Sequence, residues 1–473
     1  MLFAPELLML IGSLVLFCLC LGQGKENLAK YAALVLAIAS CILSLATLQM
    51  NGSLFFDAYR IDMFSQLFKL AISTGLVVVL LFSGELKGVD DRLRPEYFLF
   101  MILSTLGLMM MVSSVELLTL FIALELSSYS LYLMVPMRDD HGGMKMQMEA
   151  AIKYILFGVV ATGTMLYGMS FIFGMTGTTY FSELVPKMHG LAATPTAMLA
   201  IALFMSGFFY KLAVFPFHFW VPDVYQGASN ATTAFIASIP KLGAVAILIR
   251  ITTMVAPTGG EAVVNMLMIL AVCSMFYGNL SALVQKDIKR MLGFSGISHA
   301  GFVLLGLLTL KDTGYATSMY YIAGYVVMNL ACFLVICKVS KNGENVSIDD
   351  MSGLYKRAPL LALTLLVGMM ALAGIPPFVG FMGKFMLLTG ALSDGHLALV
   401  ILAALNTAIA IYYYLSVVRV AFCSPPEERP DVHVDLLTRC VSIALIVVII
   451  FMGVAPKQLL AVAETAVRNI NIF

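Results

Sequence analysis

Charge is what this chain has least of. Asp, Glu, Lys and Arg make up 12% of its 473 residues, about half the share found in soluble domains, and 61% of the residues are hydrophobic. A formal net charge of +1 supplies no field for nucleic acid, and the charges that exist gather in short loops between apolar runs. Cysteine chemistry is also thin. The eight cysteines are scattered, with Cys18 and Cys20 too close for zinc or redox spacings and Cys332 and Cys337 lacking a second pair. No iron-sulfur cluster, haem or structural metal is therefore expected. A phosphate loop, a dinucleotide fingerprint and an HExxH motif are missing too. No cofactor is expected on this chain, so any redox chemistry belongs to another one. The expected partners are lipid and other membrane subunits.

Long apolar runs dominate what remains. A bilayer core of about 30 Å takes about 20 apolar helical residues, and such runs fall near 3–22, 28–49, 64–84, 97–114, 115–135, 149–174, 196–218, 228–254, 262–283, 293–310, 314–338, 358–388, 394–422 and 436–456. The expected fold is an all-α polytopic membrane protein with about 14 transmembrane helices. No loop is long enough for a soluble domain, and the 32 methionines read as gap-fillers in a helical core. Glu6 rather than a basic stretch precedes the first run, and no small-residue cleavage site follows it, so a retained helix is expected instead of a signal peptide. Lys and Arg gather at alternate span ends, including Lys25, Lys30, Lys87, Arg138, Lys289, Arg290, Lys338 and Arg357. The opposite ends carry fewer, among them Arg60, Lys187, Arg250 and Lys311. The basic side should face the cytoplasm and both termini the periplasm of a prokaryotic inner membrane.

Two spans are interrupted. The seventh runs into VFPFHFWVP, and the twelfth contains AGIPPFVGFMGK, where Pro376 and Pro377 should break the helix. Lys211 precedes the first break and Lys384 follows the second. Spans four to eight and nine to thirteen are five helices each, and an odd number inverts the second set. Paired broken helices in two inverted halves point to a transport site near mid-membrane. The expected organisation is an N-terminal three-helix segment at 1–96, a five-helix repeat at 97–254, its inverted counterpart at 262–422, and a C-terminal helix at 423–473.

An ionisable side chain inside a membrane helix is expensive and is by default a functional candidate. Glu125 lies mid-span in LFIALELSSYSLYLM; local Ser and Tyr hydroxyls would satisfy it, but pairing with Lys211 is the sharper reading. A nearby carboxylate favours a charged lysine and burial disfavours it, so small movements decide whether the lysine keeps its proton. Lys241, deep in its span after Pro240, and Lys384 are further relay candidates. Lys153 lies near a span start, where snorkelling competes with a relay role. His218 and His299 are weaker candidates, since an isolated histidine more often packs than carries protons. Lys69 is expected to snorkel, and Glu116 to face water or a helix N-terminus.

The stretches FHFWVPDVYQGA (217–228), QKDIKRMLGFSGISHAGF (285–302), GIPPFVGFMGKF (374–385) and AAIKYILFG resemble the antiporter-like membrane subunits of respiratory complex I. Within that family, Asp223-Val224-Tyr225-Gln226-Gly227, a lysine at 384, and an end after about fourteen spans without a long lateral helix resemble its N-type branch. The resemblance implies two inverted five-helix bundles and a proton path along a polar axis. By similarity, Glu125 and Lys211 are its glutamate and lysine pair, Lys241 the connecting lysine and Lys384 the twelfth-helix lysine. It also implies that NADH and quinone bind other subunits of the membrane complex, a proton-translocating NADH:quinone oxidoreductase. Ser127 departs from the glutamine common at that position. A subunit of a multi-subunit cation/proton antiporter is the alternative reading, and a membrane-arm subunit that no longer conducts is a third.

Overall fold

The computed structural model describes residues 2–22, 26–84, 86–139, 145–188, 194–256, 260–426, 429 and 431–470. Lys25 and parts of the 1–96 and 423–473 segments lie outside them. Among the described residues the secondary structure is helical apart from one hairpin. Helices α1 (Ala4–Cys20), α2 (Glu26–Ala46) and α3 (Met63–Ser83) come first, and strands β1 (Gly52–Leu54) and β2 (Tyr59–Ile61) connect α2 to α3. Then follow α4 (Arg94–Ser113), α5 (Leu117–Met134), α6 (Met146–Thr176), a short α7 (Phe181–Met188), α8 (Pro195–Leu212), a short α9 (Val221–Gly227) and α10 (Asn230–Val255). The second half holds α11 (Glu261–Ala282), α12 (Ile288–Leu307), α13 (Asp312–Val339), α14 (Leu354–Arg357), α15 (Pro359–Ala373), α16 (Val379–Ser393) and α17 (Leu397–Cys423). Helix α18 (Leu436–Val454) and the short α19 (Pro456–Arg468) close the chain. Each expected span coincides with one of these helices, or with a broken pair of them. The protein is a multi-pass membrane protein.

Local signals fix the helix ends. Asp62 caps α3 by accepting from Ser65 N at 2.7 Å, while Ser65 Oγ accepts from Asp62 N at 3.1 Å. Glu116 caps α5 through Thr119 N at 2.7 Å, so it does serve a helix N-terminus. Both expected breaks are present: α8 and α9 are separated by residues 213–220, and α15 and α16 by residues 374–378. Helices α15 and α16 have 15 residues each, about 22 Å, and only together do they cross the bilayer.

Burial sorts the helices. Helix α10 is buried along its whole membrane stretch and α12 nearly so, whereas α2, α6, α11 and α17 keep most of theirs on the outside of the bundle. The two halves pack alike: α4 lies on α5 as α11 lies on α12, and α6 lies on α8 and α9 as α13 lies on α15 and α16. A glycine makes each of the first crossings close. A Cβ on Gly107 would lie 2.5 Å from Ser127 N, and one on Gly278 would lie 2.6 Å from Phe294 O and 2.7 Å from Ser298 N. The halves meet where α10 packs on α13 and α9 on α12.

Two expectations fail on the outer wall of α10. Lys69 does not snorkel: it is fully buried and pairs with the buried Glu6 at 2.5 Å, and Glu6 also accepts from Tyr59 Oη at 2.6 Å. Arg250 is not a span-end cation facing water. It is fully buried in α10, where its Nη2 donates to Asp62 Oδ1 at 3.0 Å and Oδ2 at 2.9 Å and its Nε to Val112 O at 3.3 Å. The helices turn these cations toward protein, and carboxylates distant in sequence meet them there. Asp62→Asn would leave a buried guanidinium uncompensated, at a cost of about 3–5 kcal/mol. Thermal unfolding of the detergent-purified protein should show a clearly lowered Tm, with much of the loss recovered in Asp62→Leu/Arg250→Met. A single variant that melts with the parent would show that the pair bears no load.

Candidate functional site

Lys211 lies one residue before α8 ends. Ala213 turns the chain with φ +71°, Pro216 offers no amide to continue the helix, and Trp220 Nε1 donates to Tyr210 O at 3.1 Å across the turn. The lysine is 7% exposed. Its Nζ donates to Ser127 Oγ at 3.1 Å and Ser128 Oγ at 3.2 Å and reaches Leu124 O at 3.5 Å. Ser127 in turn shares a hydrogen bond with Ser104 at 3.1 Å. The serine at 127 is thus a direct contact of the lysine.

Glu125 is nearly buried on the same turn of α5. Thr162 and Tyr129 flank its carboxyl, and its Oε1 has no hydrogen-bond partner in the protein. It lies within electrostatic reach of Lys211, but no ion pair joins the two. The expected pair is therefore open, with the ammonium held by hydroxyls and the carboxylate beside it.

The other lysines lead into the second half. Lys241, 1% exposed, donates to Tyr325 Oη at 3.1 Å and lies 4.8 Å from the centroid of that ring, a favourable cation–π placement. It also reaches Gly296 O at 3.5 Å. Three residues on in α12, His299 bonds Tyr321 Oη through Nδ1 at 2.7 Å and Tyr414 Oη through Nε2 at 3.1 Å, and Tyr414 bonds Ser295 at 2.6 Å. The His299 ring feels both Lys241 and Lys384. Lys384, 4% exposed, donates to Leu372 O at 3.0 Å and Ala373 O at 3.3 Å and sits over the Phe302 ring. Those carbonyls end α15, so the broken helix offers the cation the negative end of its dipole.

Lys153 stands apart from this axis. It is half-buried at the start of α6 and joins Glu149 and Asp223, both at 2.7 Å, while Arg290 holds the other Asp223 oxygen at 2.6 Å. Asp223 thereby ties α6 and α12 to α9. The end of α9 is held as well: Arg138 donates to Gln226 O at 2.8 Å, and the fully buried Lys289 to Ala228 O at 2.8 Å. Of the two cations expected at this span end, Lys289 is turned fully into the protein and Arg290 stays partly exposed.

Sequence reasoning passed over Tyr321, Tyr325, Tyr414 and Ser128. The four-residue spacing of Tyr321 and Tyr325 puts both on one face of α13 beside a lone histidine, and that was the available signal. His218 is fully buried among the rings of Phe215, Phe219 and Tyr277, and neither of its nitrogens has a hydrogen-bond partner in the protein.

The family model for the transmembrane part of the NADH:quinone oxidoreductase/Mrp antiporter proteins matches residues 114–410. A protein named NADH-quinone oxidoreductase subunit N 2 from Opitutus terrae is 51% identical over 455 residues, 96% of this chain and 95% of that one. A protein of the same name from Solidesulfovibrio magneticus is 44% identical over 468 residues, 99% and 98% of the two chains. Among solved structures, a chain of respiratory complex I from Thermus thermophilus with bound aureothin matches with a TM-score of 0.83 at 30% identity, covering 97% of this chain and 99% of that one. A chain of the Mrp complex from Dietzia sp. matches with a TM-score of 0.88 at 21% identity, covering 99% and 97%, which is a likeness of fold.

His218→Phe removes two unpartnered polar atoms from an aromatic pocket. Because a buried polar group without a partner costs about 1–3 kcal/mol, this variant should melt at or above the parent temperature in detergent. A drop of several degrees would show that the imidazole nitrogens are held after all.

Proposed function

The chain belongs to the membrane-subunit family shared by NADH:quinone oxidoreductases and Mrp antiporters, and from that membership we propose that it is the N-type, proton-translocating subunit of an NADH-quinone oxidoreductase. One observation supports proton transfer above the others: three lysines, a glutamate and a histidine are buried across both halves, the lysines and the histidine held by hydroxyls and carbonyls, and none of the five is in a salt bridge that would lock its charge. A lysine in such a place exchanges its proton with modest movements of its neighbours.

In this reading Lys211 stores the proton and Glu125, close but unpaired, biases whether it is kept. Lys241 receives it. The hydroxyls of Tyr325, Tyr321 and Tyr414 with the imidazole of His299 extend the route toward Lys384, each accepting one proton as it releases another. The reading requires water to enter between α8 and α10 and join the Lys211 and Lys241 ends of the route. Lys384 is the exit or neighbour-coupling group. Electrons pass from NADH to quinone on other subunits, and energy arrives here as movement and charge.

The five-helix segments 97–254 and 262–422 act as inverted repeats, which the like packing of their helices favours. The span ends that carry Lys338, Arg357, Lys289 and Arg290 lie on the cytoplasmic side, and both termini on the periplasmic side. Sodium/proton exchange is the weaker reading, since the 51% and 44% identical relatives both carry the oxidoreductase name.

Lys211→Met keeps the volume of the side chain and removes the proton carrier. In inverted membrane vesicles, assembly on native gels should persist while NADH-driven acidification falls by half or more relative to electron transfer. Unchanged acidification would reject Lys211 as the store. Co-migration with iron-sulfur quinone-reductase subunits is expected; sodium/proton exchange without them would favour the antiporter.

A further inference from the structure

A charge-lined recess of about 630 Å³ opens where α2, α10 and α18 begin and α3, α13 and α14 finish. It has no part in the lysine axis. Lys30, Lys87, Lys338, Lys341 and Arg357 line it, against the carboxylates of Asp431 and Asp435. Those charges are unevenly committed. Asp435 holds Lys338 at 3.3 Å and accepts from Thr438, contacts that keep its carboxyl below the usual range. Arg357 is anchored on Asp350 O at 3.1 Å and Ser352 O at 3.3 Å, and Lys87 reaches Ser340 O at 3.4 Å. Among the described residues, neither Lys30 nor Lys341 has a carboxylate partner. Among the described residues the recess therefore carries surplus positive charge.

The adjoining wall is of opposite character. Leu34, Leu81 and Leu437 line the recess too, and Tyr31, one turn before Leu34 on α2, is 62% exposed. Helix α2, which supplies Lys30, Tyr31 and Leu34, keeps most of its apolar surface outward. A free inorganic anion would use the cations and gain nothing from the leucines. A lipid phosphate uses both, with its head among the cations and its chains along the leucines.

We propose that this recess binds the headgroup of an anionic phospholipid. The bound lipid bridges the N-terminal helices α2 and α3 to α13 and α18. The site requires only that the chain sit in a membrane, so it stands or falls apart from the proton route.

The test uses the complex purified in mild detergent, stripped of lipid and titrated with dioleoylphosphatidylglycerol, dioleoylphosphatidylcholine or inorganic phosphate, with bound lipid counted by native mass spectrometry. Each lysine near an anionic group contributes about fivefold in affinity. Lys30→Gln/Lys341→Gln should therefore weaken the tightest phosphatidylglycerol site by roughly 25-fold, while Arg92→Gln/Lys286→Gln, away from the recess, should not. Equal binding by the first pair, or equal affinity for phosphatidylcholine, would overturn the proposal, and so would competition by millimolar phosphate at the same affinity. If the variant complex does not assemble, a photoactivatable phosphatidylglycerol on the unaltered complex decides. Crosslinks in segments 30–34, 80–84 and 338–341 support the site, and crosslinks confined elsewhere reject it.

Discussion

A charge taken from water into the membrane interior costs about 3 kcal/mol or more, and nearly every polar feature of this fold answers to that cost. The chain answers it in two ways. On the wall formed by α1, α3 and the end of α10, carboxylates face cations directly: Glu6 with Lys69 and Asp62 with Arg250. Along the axis, Lys211, Lys241 and Lys384 meet only neutral oxygens and a ring face. The first arrangement locks charge in place. The second leaves it negotiable, which is what a carrier of protons needs.

The helix breaks make the second arrangement possible. An unbroken helix spends its carbonyls on its own ladder, whereas the end of α15 leaves Leu372 and Ala373 free to accept from Lys384. The same logic runs in reverse at α9, whose last carbonyls are occupied by Arg138 and Lys289. These two cations stand on the end of α5 and the start of α12, so the short helix is tied to the glutamate-bearing helix and to the histidine-bearing one.

Much of this was legible in the chain of letters. Span length and hydropathy located the helices, because the bilayer fixes both. Proline marked both breaks, because it has no amide to give. The charged candidates were also visible, since few residue types cost so much in lipid. Which way a side chain faces was not legible. Lys69 and Arg250 lie near span ends, where snorkelling and pairing look alike in one dimension; their partners Glu6 and Asp62 come from other segments. The tyrosines around His299 escaped for a related reason, as tyrosine is common in membrane helices and only the meeting of α12, α13 and α17 makes a cluster of them. The gap between Glu125 and Lys211 is a matter of rotamers, which spacing does not encode.

The two glycine crossings carry one more consequence. Gly107 meets Ala123 and Ser127 as Gly278 meets Phe294 and Ser298, and laying one crossing over the other puts Gly296 where Glu125 stands and His299 where Ser128 stands. The halves are alike in scaffold and unlike in chemistry: one has an acid beside its lysine, the other an imidazole and phenols. A proton on a route threading both would meet unlike bases in the two halves, so the same driven movement of the helices would change its affinity by different amounts in each.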